Sequence, residues 1–136
     1  MPRYGAIEAG GTKFVCAVGT GPRDLTTTRI ATTSPGQTLA RCLEFFAAQG
    51  KVDALGVGSF GPVELRPESR RYGHITATPK PGWANADVVG PLSRALAVPI
   101  GFDTDVNAAV LGEARWGAAR GLRDAVYVTV GTGIGG

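Results

Sequence analysis

The first apolar stretch, Ala6-Ile-Glu-Ala-Gly-Gly-Thr-Lys-Phe-Val-Cys-Ala-Val18, reads as strand, glycine turn, strand. The unbroken run from Phe14 to Val18 suits a strand buried in a central sheet, since a strand covered on both faces loses its polar alternation. β-branched residues from Thr27 to Thr33 predict a third strand after the Gly21-Pro22 turn. Ser34 and Pro35 then open a helix in which Leu39, Leu43, Phe46 and Ala47 recur at spacings of three and four, and Gly50 is placed to end it. Ala54–Ser59, apolar and spaced by glycines, is the next predicted strand.

From Phe60 to Ala84 the periodicity breaks, and Pro62, Pro67, Pro79 and Pro81 exclude a long helix. A long loop bearing aromatic and polar groups within a compact domain is often functional. Gly90-Pro91 predicts the start of a short helix, with Pro91 at the first helical position and Leu92 and Leu96 on the buried edge. Ile100–Asp103 reads as a strand, Val106–Gly117 as a helix and Asp124–Val130 as a further strand running into a second glycine turn. Antiparallel strands first and βα units afterwards predict an α/β domain: a mixed sheet with helices on its faces.

Composition narrows the class. A chain of 136 residues suits one domain with a real core. The net charge of +3 is carried by scattered residues, and its densest group (Arg66, Arg70 and Arg71) lies in a polar loop. Nucleic-acid binding needs a clustered basic face, so a solvated loop explains this group better. No apolar run approaches the ~20 residues of a membrane span, and the first residues lack the apolar core of a signal peptide. Cys16 and Cys42 both fall within apolar patterns, outside any CxxC pair, and His74 stands alone. Buried free thiols in a reducing cytoplasm, and no metal-ligand set, are therefore expected.

The 21 glycines carry candidate chemistry. Gly10-Gly-Thr-Lys13 can point backbone N–H groups and the Thr12 hydroxyl at phosphate oxygens, although an ordinary hairpin would look the same. Glu8, just upstream, could hold Mg²⁺ directly or through water. Gly131-Thr-Gly-Ile-Gly-Gly136 is a second glycine turn after a predicted strand. The spacing of neither turn is that of a P-loop or a dinucleotide fingerprint. Between them in sequence, Asp103 and Asp105 sit where a strand hands over to a helix. That is a ligand-binding position in open α/β sheets, and also a place for an N-cap. Two glycine turns flanking such an aspartate describe a phosphate clamp around a carboxylate.

With Ile7–Lys13, Gly58-Ser-Phe-Gly-Pro62, Thr78-Pro-Lys-Pro-Gly-Trp83, Thr104-Asp-Val-Asn-Ala-Ala109 and Gly131-Thr-Gly-Ile-Gly135, the chain resembles sugar kinases of the ROK (repressor, open reading frame, kinase) family over nearly its whole length. Glu8, Lys80 and the Tyr72–Trp83 segment are most similar to its bacterial fructokinases. The resemblance implies the N-terminal lobe of an actin-like (ribonuclease H-like) ATPase fold over residues 1–136, with the C-terminal lobe absent from this chain. It implies ATP and Mg²⁺, with Zn²⁺ belonging only to the missing half. The implied activity is phosphorylation of a hexose, fructose first, by a cytoplasmic enzyme that is a homodimer at full length.

Carried over by position, Asp105 matches the catalytic base, and Gly10, Gly11, Thr12, Lys13, Gly131, Thr132, Gly133 and Gly135 match the phosphate loops. Gly61, Pro62, Lys80, Trp83, Thr104 and Asn107 fall on the sugar side, and Glu8 at the metal position. Most members carry Asp where Glu8 stands, and many carry Asn-Asp at Thr104-Asp105. The alternatives are a glucose, mannose or N-acetylhexosamine kinase of the same family, a non-catalytic sugar-binding regulator, or an actin-like ATPase without a sugar substrate. Repressors of the family carry an N-terminal helix-turn-helix, whereas here a strand is predicted within a few residues of Met1. The half-chain alone is expected to be inactive.

Overall fold

The computed structural model describes residues 1–131 and 133–136. Strands β1 (Tyr4–Ala9), β2 (Lys13–Gly19), β3 (Thr26–Ala31), β4 (Ala54–Ser59) and β5 (Ile100–Thr104) form one sheet in the order β3-β2-β1-β4-β5. The first three strands, joined by tight turns, pair antiparallel, while β1, β4 and β5 run parallel. Parallel neighbours need crossovers, and helices α1 (Pro35–Gln49) and α2 (Val89–Leu96) lie within them. A third helix, α3 (Asp105–Trp116), leaves β5 without a loop. The mixed sheet with helices on its faces is the predicted architecture.

Alternation along β1 decides which face is covered. Gly5, Ile7 and Ala9 point into the core, and Tyr4, Ala6 and Glu8 point away from it. The covered face packs Ile7, Phe14 and Leu55 against Leu39, Cys42 and Phe46 of α1 and Leu92 of α2. Each such side chain contributes about 1.5–3 kcal/mol by leaving water. Ala47, expected on the buried edge of α1, is exposed, and Cys42 and Thr38 fill the interior instead. Ser34 caps α1 by accepting the Gln37 N–H, and Gly50 at φ 85 ends it, as its sequence predicts.

Cys16 and Cys42 are free and fully buried. The Cys16 thiol is pushed up out of its ordinary range by its hydrogen bond with Cys42 and by burial, which leaves it inert as a nucleophile. The segment between β4 and α2 hangs on interior residues. Ile75 and Trp83 are both 0% exposed, and the Trp83 indole Nε1–H donates to the Thr33 carbonyl at 2.8 Å.

Two expectations need correction. Helix α2 begins at Val89, so Pro91 is its third residue, and Asp87 closes the start by accepting the Gly90 N–H at 2.8 Å. Pro still fits there, because the first-turn N–H groups have no intrahelical partner. The strand predicted for Asp124–Val130 shrinks to β6 (Thr129–Val130), which pairs with β7 (Ile134–Gly135) in a separate two-stranded hairpin. Val126, Val128 and Val130 are 84%, 58% and 75% exposed. An apolar pattern makes a strand only where a neighbouring strand takes its hydrogen bonds, and among the described residues no strand of the central sheet lies beside this one.

Candidate active site

The parallel strands β1, β4 and β5 end together. Ala9, Ser59 and Thr104 are in register across them, and the Phe60 N–H donates to the Ala9 carbonyl at 2.8 Å. The Gly10–Lys13 turn, the Gly61-Pro62 corner and the start of α3 therefore leave the sheet along one edge. This carboxyl edge is where open α/β sheets bind ligands.

At the first exit, the Gly10 N–H donates to the Lys13 carbonyl at 2.9 Å, and the Thr32 hydroxyl donates to the Gly10 carbonyl at 2.7 Å. A Cβ on Gly10 would lie 2.7 Å from the Lys13 oxygen, so this tight turn requires glycine. Among the described residues, the N–H groups of Gly11 and Thr12 make no hydrogen bond. That is the state a phosphate cradle requires.

At the third exit, Thr104 is the N-cap of α3, its hydroxyl accepting the Asn107 N–H at 3.1 Å. The cap considered for Asp103 or Asp105 thus belongs to the residue between them. Asp105 opens the helix and accepts the Val106 N–H at 2.9 Å. Gly58 seats this turn: a Cβ there would lie 2.7 Å from the Ala108 Cβ and 3.5 Å from the Asp105 Cα. Bare backbone at Gly58 lets α3 lie directly on β4. A lone glycine inside an apolar strand is the signal for such close approach.

Glu8, Gly58 and Asp103 are neighbours across β1, β4 and β5. At ordinary strand spacing the Glu8 and Asp103 backbones are about 10 Å apart. Their side chains and that of Asp105 line one open groove of about 860 Å³ beneath α3, which Tyr127 also lines. Among the described residues, no group of three or more His, Cys, Asp or Glu side chains could hold a metal. Glu8 alone still fits Mg²⁺, which takes one or two carboxylates and fills its shell with water and phosphate oxygens. Zinc does not fit: both thiols are buried and the chain has one histidine.

The remaining candidates divide. Gly61 and Pro62 follow β4 through a cis peptide bond, and the Pro62 carbonyl accepts the Thr76 N–H at 2.8 Å. The Lys80 N–H donates to the Thr78 hydroxyl at 3.3 Å. Trp83, expected on the sugar side, is instead a core residue: its ring packs on Phe14 and Phe60 at 5.4 and 5.7 Å, and it has no surface to offer a ligand. The second glycine turn joins β6 to β7, with the Gly131 N–H donating to the Gly133 carbonyl at 2.8 Å and Gly135 within β7. Among the described residues no strand pairing or hydrogen bond joins it to the first turn. Thr132 lies outside the described residues. Sequence reading missed the roles of Gly58 and Asp103; for Asp103 the signal was an acidic residue four before Asn107.

The ROK family model matches residues 4–136. A fructokinase from Lactococcus lactis subsp. cremoris is 47% identical over 134 residues, 98% of this chain and 45% of the relative. A fructokinase from Zymomonas mobilis subsp. mobilis is 48% identical over 139 residues, 98% of this chain and 46% of the relative. The chain thus spans about half the length of these curated relatives. The ROK hexokinase from Thermus thermophilus superposes with a TM-score of 0.80 at 30% identity, covering 98% of this chain and 45% of that one. A ROK family glucokinase from Streptomyces griseus, in complex with glucose and AMPPNP, gives 0.80 at 25% identity, covering 98% and 43%. The fold is that of the actin-like ATPases, and the likeness runs through all but the first three residues: the chain belongs to the ROK family.

Proposed function

We propose that this chain is the N-terminal lobe of a longer ATP-dependent hexose kinase, with fructose as the leading substrate and fructose 6-phosphate as its product. The observation that carries this reading is the common exit of β1, β4 and β5, which puts a glycine turn, the Gly61-Pro62 corner and Asp105 along one sheet edge. The two fructokinase relatives at 47% and 48% identity favour fructose. The likeness to a glucokinase in complex with glucose keeps glucose as the second substrate to try.

Asp105 is the base. Its carboxylate accepts the hydroxyl proton as the sugar oxygen bonds to the γ-phosphorus and the bond from that phosphorus to the bridging oxygen breaks, the electron pair leaving with ADP. Because this transfer is largely dissociative, the proton moves late and positioning supplies most of the acceleration. Gly10, Gly11, Thr12 and Lys13 hold phosphate oxygens, and Gly131, Thr132, Gly133 and Gly135 complete the clamp once a second lobe carries them into place. Gly61, Pro62, Lys80, Thr104 and Asn107 face the sugar. The Thr104 oxygen already accepts from the helix, so its hydroxyl offers the sugar a donor. Glu8 holds Mg²⁺, which when bound offsets charge on the transferred phosphoryl group.

With half the nucleotide site elsewhere, residues 1–136 alone turn over no sugar. The full-length enzyme is a cytoplasmic homodimer, and zinc, where present, sits outside this lobe. Among the described residues no helix is long and apolar enough to cross a membrane. The test is a coupled ATP assay of the full-length protein against a hexose panel, with Asp105→Asn beside it. The variant is expected to lose about 10²–10⁴-fold in kcat while still binding sugar. A variant that keeps most of its kcat removes Asp105 from the role.

A further inference from the structure

We infer that Thr32 is a positioning residue for the phosphate turn: it holds the Gly10–Gly11 peptide so that the Gly11 N–H is aimed outward at a phosphate oxygen. The inference rests on the kinase reading above. Thr32 follows β3 and grips the Gly10–Lys13 turn at two points. Its hydroxyl donates to the Gly10 carbonyl at 2.7 Å, and its N–H donates to the Thr12 carbonyl at 3.0 Å. A trans peptide is planar, so the carbonyl of Gly10 and the N–H of Gly11, which share one plane, point in opposite directions. Drawing the carbonyl to Thr32 therefore turns the Gly11 N–H away from it. Around Gly11 the molecule is open: a Cβ there would meet nothing within 4 Å, and the N–H has no partner among the described residues.

Two consecutive glycines carry no side chain that could fix the peptide plane between them. Without a grip from outside, that peptide is free to rotate and to present its carbonyl, which repels phosphate, in place of its N–H. Thr32 is itself firmly seated. The next residue, Thr33, donates its N–H to the hydroxyl of the fully buried Thr38 at 3.0 Å, and its carbonyl accepts the Trp83 indole Nε1–H at 2.8 Å. The start of α1 does not need the Thr32 hydroxyl, because Ser34 caps that helix. The hydroxyl is spent on the turn instead. Trp83 also packs on Phe60, which leads into the Gly61-Pro62 corner, so the phosphate turn and the sugar-side corner hang on adjacent residues.

The experiment uses the full-length protein. Thr32→Val keeps the shape of the side chain and removes the hydroxyl. It is expected to raise the KM for MgATP about ten-fold, the weight of one hydrogen bond, and to leave the hexose KM within about two-fold. Thr32→Ser keeps the hydroxyl and should bring the MgATP KM back to within about three-fold of the parent. Thr33→Val removes a neighbouring hydroxyl that reaches Thr38 rather than the turn, and should leave both KM values within about two-fold. If Thr32→Val leaves the MgATP KM unchanged, raises both KM values alike, or is not rescued by Thr32→Ser, the positioning role is overturned.

The NMR resonance of the Gly11 amide gives a readout that needs no turnover, and in the parent it stands in should Thr32→Val fail to fold. MgATP should shift it, adenosine should not, and Thr32→Val should weaken the shift. If the parent protein phosphorylates no hexose, the kinase reading fails first, and this measurement then decides the orientation. A shift specific to MgATP supports it. A Gly11 amide that ignores MgATP, or answers adenosine equally, overturns it.

Discussion

Gly10–Lys13 and Gly131–Gly135 are both glycine turns joining two strands, yet the structure treats them in opposite ways. The first joins strands of six and seven residues, is flanked by β3 and β4, and is tied from outside by the Thr32 hydroxyl. The second joins strands of two residues that, among the described residues, pair with each other alone. A Cβ at Gly10 meets a backbone oxygen at 2.7 Å, whereas a Cβ at Gly131 meets nothing within 4 Å. The same residue type is a steric requirement in one turn and a spare freedom in the other. A glycine motif therefore acquires its meaning from the elements packed around it, which the described residues supply for the first turn and not for the second.

The largest effect that sharpens the contrast comes from the packing that holds the first turn. Trp83→Ala should remove about 3–5 kcal/mol, read as a drop in the denaturant midpoint, because a filled site with a bonded indole N–H is emptied. Val126→Ala, at a position 84% exposed, should stay within about 0.5 kcal/mol in the same assay. Equal losses would mean that the last residues are packed after all.

The glycines themselves give the next test. Gly10→Ala should destabilise the chain by about 1–3 kcal/mol, and Gly131→Ala by less than about 0.5 kcal/mol. In full-length protein that gap should narrow if a second lobe closes on the Gly131 turn. The smallest effect is chemical. Cys16 and Cys42, both buried, should react with a thiol reagent only after unfolding, so rapid labelling of native protein would show that the α1 side of the sheet opens.

Most of the sheet was legible because its determinants are local. Alternation in β1, the apolar run of β2, Ser34 before Pro35, and Gly50 after the last turn of α1 each act within a few residues. The misreadings share a different origin. Asp124–Val130 has a strand's pattern, but pattern cannot tell whether a partner strand is at hand. Trp83 sits in a loop composition that suggests a ligand wall, and contacts distant in sequence, with Phe14, Thr33 and Phe60, make it core. Asp103 looked like an alternative cap. What separates it from that role is the hydroxyl of Thr104, one residue on, which takes the cap first. Convergence of the three strand exits depends on strand order, and no single stretch of sequence encodes that.

The excursion between β4 and α2 also bears on how such a protein can diversify. Its root is pinned by Ile75 and Trp83, and its outer part is pinched shut where the Glu64 N–H donates to the His74 carbonyl and the Gly73 N–H donates to the Glu64 carbonyl. Beyond that pinch, residues 65–72 form a tip that carries Arg66, Arg70 and Arg71. Doubling the length of such a tip adds only about 0.6 kcal/mol of closure entropy. Insertions can accumulate there and reshape the rim without shifting the strand ends beneath, so the molecule separates a part that is free to vary from a part that is held.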